Sequence, residues 1–218
     1  MKKINEIFHS LQGEGFHTGT AAVFVRFSGC NLSCPFCDTD HRDGKMMSDE
    51  EIVAEVSRLR EGASLVVLTG GEPSLFVDEG LLEKLHAIAD GIVVAMETNG
   101  TRPLPSGVDF VTLSPKDQFV ENAKPVLKSC SELKLVYPGC DPSKYDHIAC
   151  SHRFLQPCDC GEGVGSTPSL LQPCDCGDGG DDCTGAQRTR ANMAATVAYI
   201  KAHPQWRLSI QTHKILGI

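Results

Sequence analysis

Short apolar runs alternate along the chain with segments in which apolar residues recur at helical spacing. The run Ala-Ala-Val-Phe-Val-Arg-Phe at 21–27 has the length and composition of a buried strand, and it ends just before Gly29. Other strand-like runs also lead into polar or Gly/Pro segments; they lie at 65–68, 92–96, 110–113 and 133–136. The pattern therefore predicts buried strands that feed functional loops.

Two amphipathic helices are predicted between these strands. Ser48 and Glu51 form the S-x-x-E pattern of a capping box, and the apolar residues after them keep helical spacing up to about Arg60. The segment from Leu81 to Ile88 repeats this spacing. The alternation of strand and helix implies right-handed βαβ units, a parallel sheet, and functional loops at the C-terminal ends of the strands.

The residue pattern in the last part of the chain predicts one more helix and one more strand. The segment 192–202 favours a helix that Pro204 stops, and 207–212 alternates as a final strand before His213. The 218 residues fall short of the roughly 250 that a closed eight-stranded barrel takes. We therefore expect an α/β fold in one domain over 1–218, a partial (open) TIM-like barrel of about six parallel strands.

Composition changes between about 157 and 187, where Gly, Asp, Ser and Cys dominate. The phrase Leu-Gln-Pro-Cys-Asp-Cys-Gly occurs twice, from Leu155 and from Leu171, and two polar copies are too few for a solenoid. We expect a Cys/Gly-rich surface insertion within the single domain. Its soft ligands could bind an auxiliary zinc ion or cluster, but a loop without metal is favoured because ordering glycine-rich sequence costs entropy. The thiols concerned belong to Cys158, Cys160, Cys174, Cys176 and Cys183.

Charge and hydropathy argue against several classes of partner. The chain carries a formal net charge of −8 and no cluster of Lys and Arg, which argues against binding to nucleic acid or to an anionic membrane surface. It contains no apolar run of about 18 residues and no recognisable export signal. We therefore expect a cytoplasmic protein that acts on a small molecule. Its 11 cysteines are then metal ligands or reduced thiols rather than a disulfide framework.

The most informative cysteines are Cys30, Cys34 and Cys37, at C-x3-C-x2-C spacing. Thiolates suit zinc or iron–sulfur clusters, and a four-iron cluster held by three of them keeps one iron open for a further ligand. Structural zinc takes four protein ligands, and His41 could supply the fourth. These residues alone leave an open cluster and a structural zinc site as two alternatives.

A second motif, Gly-Gly-Glu-Pro at 70–73, follows the strand at 65–68. The cysteine motif followed by this turn resembles the radical S-adenosylmethionine (SAM) enzymes. The resemblance implies a [4Fe–4S] cluster on the three thiolates, SAM on the open iron, and a Gly-Gly-Glu segment that meets the methionine amino group. It also implies that an electron from an external donor such as flavodoxin cleaves SAM to a 5′-deoxyadenosyl radical. We expect the glycines to let the backbone approach the ligand closely.

Further motifs give a closer resemblance, to the 7-carboxy-7-deazaguanine synthases. These motifs are strung through the chain at 10–15, 25–27, 37–39, 97–100, 114–116, 155–157 and 206–214. The resemblance implies a lyase that converts 6-carboxy-5,6,7,8-tetrahydropterin to 7-carboxy-7-deazaguanine with loss of ammonia, on the route to queuosine and related deazapurines. It also implies a magnesium ion beside the cluster and SAM, and a homodimer.

Site residues follow from the same resemblance. The residues expected to contact the pterin are Leu11, Gln12, Gly13, Arg26, Thr69 and Ile218, the last through a terminal carboxylate if the native chain ends there. Thr39 is expected to offer its hydroxyl to Mg²⁺, a hard ion that prefers oxygen. The residues expected to contact SAM are Gly71, Ser114, Pro115, Lys116, Gln156, Pro157, Cys158 and Asp159.

Several of these roles have simpler structural alternatives. Arg26 could pair with a surface acid, and Thr39 could cap the following turn. Glu72 could organise its loop through hydrogen bonds, and Asn99 could be an ordinary turn residue. His213 is open between a site role and a satisfied histidine at a strand end.

Three further points also stay open: the role of Glu14, the segment that contacts SAM, and the class of function. Glu14 is a less certain member of the site than its neighbours. The second Leu-Gln-Pro copy offers a competing register for SAM at 172–175, although the first copy is favoured. The alternative functions are a glycyl-radical-enzyme activating protein, which shares the cysteine spacing, and a zinc-organised binding module without enzymatic activity.

Overall fold

A computed structural model describes residues 1–37, 43–160 and 184–218. Within this part of the chain, nine strands form one sheet in the order β3-β1-β2-β4-β5-β6-β7-β8-β9. The strands are β1 Lys2–Leu11, β2 Ala21–Phe27, β3 Lys45–Met47, β4 Leu65–Gly70, β5 Val93–Thr98, β6 Phe110–Leu113, β7 Ser129–Tyr137, β8 Ala149–Pro157 and β9 Arg207–Leu208. The α-helices are α1 Asp49–Leu59, α2 Glu79–His86, α3 Gly185–Ala202 and α4 Thr212–Leu216, and short 3₁₀ turns lie at Pro73–Leu75 and Pro142–Tyr145.

Strands β2 and β4 to β9 pair with one another in parallel, whereas β1 pairs antiparallel with both β2 and β3 at one edge. The two ends of the sheet, β3 and β9, are not paired with each other. This arrangement confirms the expected α/β fold with an open, TIM-like sheet. The described strands include seven that are parallel, one more than the expected count of about six.

The predicted capping box begins α1. The Ser48 hydroxyl accepts from the Glu51 amide at 3.2 Å, and the Glu51 carboxylate accepts from the Ser48 amide at 2.7 Å. Helix α2 ends at His86, so Ile88 lies beyond it. Helix α3 begins at Gly185, well before the predicted 192, because Thr184 and Gln187 form a second capping box.

The prediction of a final strand at 207–212 is wrong in its extent. Strand β9 covers only Arg207–Leu208, and α4 begins at Thr212. The Ser209 amide still donates to the Leu155 carbonyl on β8 at 2.9 Å, but the groups that follow bond to the N-terminal loop and a helix begins at Thr212. The Ser209 hydroxyl accepts from the Gly15 amide at 3.0 Å, and the Thr212 amide donates to the Gly13 carbonyl at 3.0 Å.

The two faces of the sheet differ in polarity. Side chains that alternate outward, such as Val25, Leu68 and Met96, are buried in a core shared with α1 and α2. The inner face begins with an apolar level built around Phe24, Val67 and Ala95. A polar level lies two residues further along the strands. It consists of Arg26, Thr69, Glu97, Thr112 and Glu132. The barrel interior therefore has an apolar base and a polar upper level.

The predicted insertion at about 157–187 overlaps the end of β8 and the start of α3. The second Leu-Gln-Pro copy, with Cys174, Cys176 and Cys183, lies outside the described residues, and so do Thr39 and His41. The insertion stays a prediction. Among the described helices, none combines the length and the apolar character that a membrane crossing takes.

Candidate active site

A cavity of about 690 Å³ opens on the polar inner face of the sheet. This volume lies in the usual range for small-molecule sites. Nearly all of the predicted site residues in the described chain line it: Leu11, Gln12, Gly13, Arg26, Cys30, Cys34, Cys37, Thr69, Gly71, Ser114, Lys116, Gln156, Pro157, Cys158, Asp159 and Ile218. Pro115 is buried next to the cavity but is not part of its wall. Thr39 lies outside the described residues.

The loop after β2 brings Cys30, Cys34 and Cys37 to one wall of the cavity. Among the described residues, no three His, Cys, Asp or Glu side chains converge on a single point as a mononuclear metal site requires. The thiolates of a [4Fe–4S] cluster bind different irons, so three thiols on one wall of a cavity fit a cluster that leaves one iron open for a ligand. Burial raises the pKa of Cys30 and Cys34, and the nearby Lys116 ammonium opposes this shift at Cys34.

The Gly-Gly-Glu turn is bound to the cysteine loop through backbone hydrogen bonds. The Gly71 amide donates to the Phe27 carbonyl at 3.0 Å, and the Glu72 amide donates to the Gly29 carbonyl at 2.9 Å. A Cβ atom at Gly71 would overlap the Gly29 carbonyl oxygen. The glycine is therefore needed for packing between two loops, a reason that the sequence alone does not reveal.

Glu72 organises the loops around it, as the sequence allowed. Its side chain is only 1% exposed and accepts hydrogen bonds from the Thr98 hydroxyl at 2.7 Å and the Asn99 amide at 2.8 Å. It also caps the following 3₁₀ turn through the Ser74 amide at 3.1 Å. Asn99 in turn donates to Asn31 in the cysteine loop at 3.1 Å. One buried carboxylate thus connects the loops after β4 and β5, and Asn99 extends the connection to the cluster loop.

Arg26 is placed directly beside Thr69, its register partner on β4. Its Nε donates to Glu6 Oε1 at 2.8 Å, so the alternative of pairing with an acid is realised for this one nitrogen. Among the described residues, its two terminal NH₂ groups have no hydrogen-bond partner. Because Arg26 also lines the cavity, its guanidinium retains donors for a carboxylate ligand.

The wall next to Arg26 is a hydrogen-bonded set of polar side chains. Glu97 on β5 accepts from the Thr69 hydroxyl at 2.7 Å and from the Gln12 amide nitrogen at 3.3 Å. The Gln12 oxygen accepts from the Glu14 backbone amide at 3.1 Å. Lys134 on β7 lies 2.5 Å from Glu14 Oε2 and 3.6 Å from Glu97 Oε1.

Sequence reasoning missed Lys134, and it named Glu97 only as part of a motif. The signal for Lys134 is its place in β7, where Leu133 and Leu135 are buried in the outer core. The polar residues that alternate with them, Glu132 and Lys134, must therefore point to the opposite face. A strand in which polar residues alternate with buried apolar residues therefore predicts a polar inner face of the sheet.

The residues Leu11–Glu14 reach the cavity from the other end of the barrel. Strand β1 is antiparallel to β2, and Leu11 pairs with Ala21 at the start of that strand. The expectation that all informative loops lie at the C-terminal ends of the strands is therefore wrong for this segment. The antiparallel edge strand delivers it to the base of the cavity instead.

The base is attached to the C-terminal segment. The Gly13 carbonyl accepts from the Thr212 amide at 3.0 Å and hydroxyl at 2.8 Å, and a Cβ atom at Gly13 would overlap the His213 ring. Gln211 donates to Glu14 at 2.9 Å. His213 lines the cavity, so it is a wall residue rather than a residue at a strand end.

The predicted SAM residues other than Pro115 also line the cavity. The Lys116 ammonium donates to the Ser114 carbonyl at 2.7 Å and hydroxyl at 2.5 Å, and burial lowers the pKa of Lys116. The Gln156 oxygen accepts from Ser209 at 3.1 Å. Asp159 accepts from Lys214 at 2.8 Å, and Cys158 is buried. The first Leu-Gln-Pro copy therefore lies at the cavity, and the competing register at 172–175 lies outside the described residues.

Comparison with known proteins gives a consistent result. The model of the radical SAM superfamily matches residues 24–118, which carry the three cysteines and the Gly-Gly-Glu turn. A 7-carboxy-7-deazaguanine synthase from Bacteroides thetaiotaomicron is 48% identical over 218 residues, covering 100% of this chain and 99% of that protein. Its counterpart from Bordetella pertussis is 39% identical over 237 residues, covering 99% of this chain and 98% of that protein.

A solved structure agrees on the fold. The crystal structure of QueE from Escherichia coli matches with a TM-score of 0.66 at 24% sequence identity, over 96% of this chain and 93% of that one. This likeness bears on the architecture, whereas the sequence identities above extend over the whole chain and include the site. The chain therefore belongs to the 7-carboxy-7-deazaguanine synthase family of the radical SAM superfamily.

Proposed function

We propose that this chain is a lyase that converts 6-carboxy-5,6,7,8-tetrahydropterin to 7-carboxy-7-deazaguanine with loss of ammonia, in the biosynthesis of queuosine and related deazapurines. The observation that carries the proposal is the meeting of three elements in one cavity. These are the three-cysteine loop, the Gly-Gly-Glu turn and the polar wall around Glu97. A cavity with this wall suits a small polar ring system.

As a radical SAM enzyme, the chain uses a [4Fe–4S] cluster and SAM, which supply a hydrogen-abstracting radical when bound. Cys30, Cys34 and Cys37 would hold the cluster. Gly71, Ser114, Lys116 and 156–159 would hold SAM in the cavity that they line, with Pro115 buried next to it.

The substrate residues have complementary tasks. The terminal NH₂ groups of Arg26 would bind the pterin carboxylate as a fork, while Gln12 and Thr69 hold the ring. Leu11 and Gly13 would contact the ring from the base of the cavity, and Ile218 from its rim. Asp159 would contact SAM beside the substrate residues, with Lys214 holding its carboxylate in place.

Magnesium is part of the proposal through Thr39. Mg²⁺ prefers oxygen ligands and is often bound through few protein groups together with substrate oxygens. We expect Thr39→Val to raise the Mg²⁺ concentration for half-maximal activity about tenfold or more, and Thr39→Ser to retain most of the wild-type affinity. Activity measured against Mg²⁺ concentration checks this, and equal Mg²⁺ dependence of the two variants contradicts it.

The proposal extends to assembly and partners. The chain would fold as one radical SAM domain over 1–218, with a surface insertion at about 157–187, and would form a homodimer. An external one-electron donor such as flavodoxin would reduce the cluster. Light scattering after size exclusion is expected to give the mass of two chains, and a single-chain mass contradicts the dimer.

The decisive experiment is anaerobic reconstitution. Wild-type protein with carboxytetrahydropterin, SAM, a reductant and Mg²⁺ is expected to give 7-carboxy-7-deazaguanine by mass spectrometry. The Cys34→Ala variant is expected to bind no cluster and to form no product. The Cys150→Ala variant is expected to retain both, because Cys150 does not line the cavity. A protein that cleaves SAM but forms no deazaguanine contradicts this function. A colourless protein that contains zinc instead of iron supports a binding module.

A further inference from the structure

Lys134 is a buried cation that the assigned roles leave unexplained. It lies on the inner face of β7, is 7% exposed, and lines the cavity without being one of the expected ligand contacts. Its ammonium lies 2.5 Å from Glu14 Oε2 and 3.6 Å from Glu97 Oε1. Glu14 comes from the loop after β1 and Glu97 from β5, so one ammonium joins three separate parts of the chain.

The electrostatics keep this group charged. Burial alone would lower the pKa of Lys134, but Glu14, Glu97 and Glu132 outweigh burial and raise it. Burial alone would likewise raise the pKa of Glu14, but the charge and hydrogen bond of Lys134 lower it to about 2. A buried charge pair of this kind contributes little net stability. Breaking it by removing one partner is costly, because the other partner then stays buried and unpaired.

Glu97 connects Lys134 to two residues that are expected to contact the substrate, Thr69 and Gln12. The Thr69 hydroxyl donates its proton to Glu97 Oε2 at 2.7 Å, so the carboxylate oxygen is the acceptor in this bond. The Thr69 oxygen then presents lone pairs to a ligand. Gln12 is fixed in the same way, because its nitrogen donates to Glu97 and its oxygen accepts from the Glu14 amide.

We propose that Lys134 is a positioning residue that sets the hydrogen-bond polarity of the substrate wall by holding Glu14 and Glu97 in place. The ammonium keeps Thr69 as an acceptor and Gln12 in one amide orientation. Such a wall suits a ligand that presents N–H groups, as a reduced pterin does. This inference rests on the proposed function, since it concerns binding of that substrate.

The test compares three variants of the cluster-loaded enzyme under anaerobic conditions. Lys134→Met removes the charge at similar length, Lys134→Arg keeps a charge, and Lys128→Met changes an exposed lysine just before β7 as the matched control. We expect Lys134→Met to raise the KM for carboxytetrahydropterin at least tenfold, with smaller changes in kcat and in the KM for SAM. Lys134→Arg is expected to recover part of the loss, and Lys128→Met to match the wild type.

Iron content and the KM for SAM separate positioning from a general structural role. If Lys134→Met loses iron and affinity for both ligands in parallel, the double variant Lys134→Met with Glu14→Gln removes the nearer of the two carboxylates that lose their ammonium partner. The KM for the pterin is expected to stay raised in that variant while iron content returns. An unchanged pterin KM in a variant with normal iron overturns the inference, and so does a parallel loss that the double variant does not correct.

The same experiment distinguishes failure of this inference from failure of the proposed function. Wild-type enzyme that cleaves SAM but yields no deazaguanine overturns the proposed function, and the inference falls with it. Wild-type enzyme that forms the product normally, together with Lys134→Met of normal pterin KM, overturns the role of Lys134 alone.

Discussion

Individual glycines in the site are fixed by protein packing as much as by a ligand. Gly71 has the Gly29 carbonyl where its Cβ would be, and Gly13 has the His213 ring there. The cysteine and Gly-Gly-Glu motifs were recognisable from residue type and spacing. The contact that requires the glycine could not be predicted, because it joins loops separated by a helix and two strands.

Gly71→Ala is therefore expected to separate the cysteine loop from the Gly-Gly-Glu turn. Overlap of a methyl group with backbone cannot be relieved by side-chain rotation, and we expect a loss of about 2 kcal/mol in the free energy of unfolding. Iron per chain after anaerobic reconstitution should fall with it. Gly80→Ala, in an exposed turn of α2 with ordinary contacts, is the control and should be stable or slightly stabilised. Equal iron content in the two variants contradicts the prediction.

Two half-buried thiols outside the cluster loop, Cys130 and Cys140, are expected to react slowly. Burial raises the pKa of Cys130 and Cys140 from 9.0 to about 12, so at pH 8 the reactive thiolate is roughly a thousandfold scarcer than in an ordinary thiol. Native protein should therefore be alkylated slowly by iodoacetamide at these positions, and faster as the pH rises toward 12. Mass spectrometry of native and urea-unfolded protein measures the difference, and equal rates at pH 8 are the contrary outcome.

Strands that contain an uninterrupted apolar run were predictable, whereas a strand without such a run was not. Strand β2 and the apolar parts of β4 to β7 correspond to the runs read from the sequence. Strand β1 carries Asn5, Glu6 and His9 among its apolar residues and gives no such run, although it pairs along its whole length with β2 and β3. Because β1 runs antiparallel to β2, it carries residues 11–14 to the base of the cavity. The direction of a strand follows from long-range pairing rather than from local pattern.

The loops at the ends of β4 and β5 depend on Glu72, so Glu72→Gln should disturb both. The amide nitrogen of Gln cannot accept from the Asn99 backbone, which leaves a buried donor facing another donor. We expect a loss of about 2 kcal/mol in unfolding free energy, together with weaker retention of iron during gel filtration. Glu79→Gln, on the exposed first turn of α2, is the matched control. Iron retention equal to this control argues against the role of Glu72.

Across the molecule, the two ends of the chain meet at the base of the cavity. The loop after β1 is hydrogen-bonded to Ser209, Gln211 and Thr212, almost two hundred residues away. Local pattern cannot predict such contacts, which is why the final strand was predicted too long. The predicted site residues were nonetheless brought together, because the parallel register aligns the strands that carry them.

Breaking this connection is expected to loosen the base without unfolding the barrel. Gln211→Leu combined with Thr212→Val removes side-chain hydrogen bonds to Glu14 and Gly13. Amide exchange over 12–20 should rise about tenfold, equivalent to about 1.4 kcal/mol, while exchange in β4 and β5 stays the same. Hydrogen exchange with mass spectrometry tests this against Lys201→Ala on α3 as control. An equal increase throughout the sheet contradicts a local effect.

The two-level interior of the barrel also limits how genes of this family can vary in length. Arg26, Thr69, Glu97, Thr112 and Glu132 share one level because every strand keeps the same phase of in-and-out alternation. Inserting or deleting one codon within such a strand would turn its polar residue toward the helices and an apolar residue toward the substrate. Gain and loss of residues during evolution, such as the gaps that the 237-residue match to the Bordetella pertussis protein requires, should therefore be confined to the connections between strands.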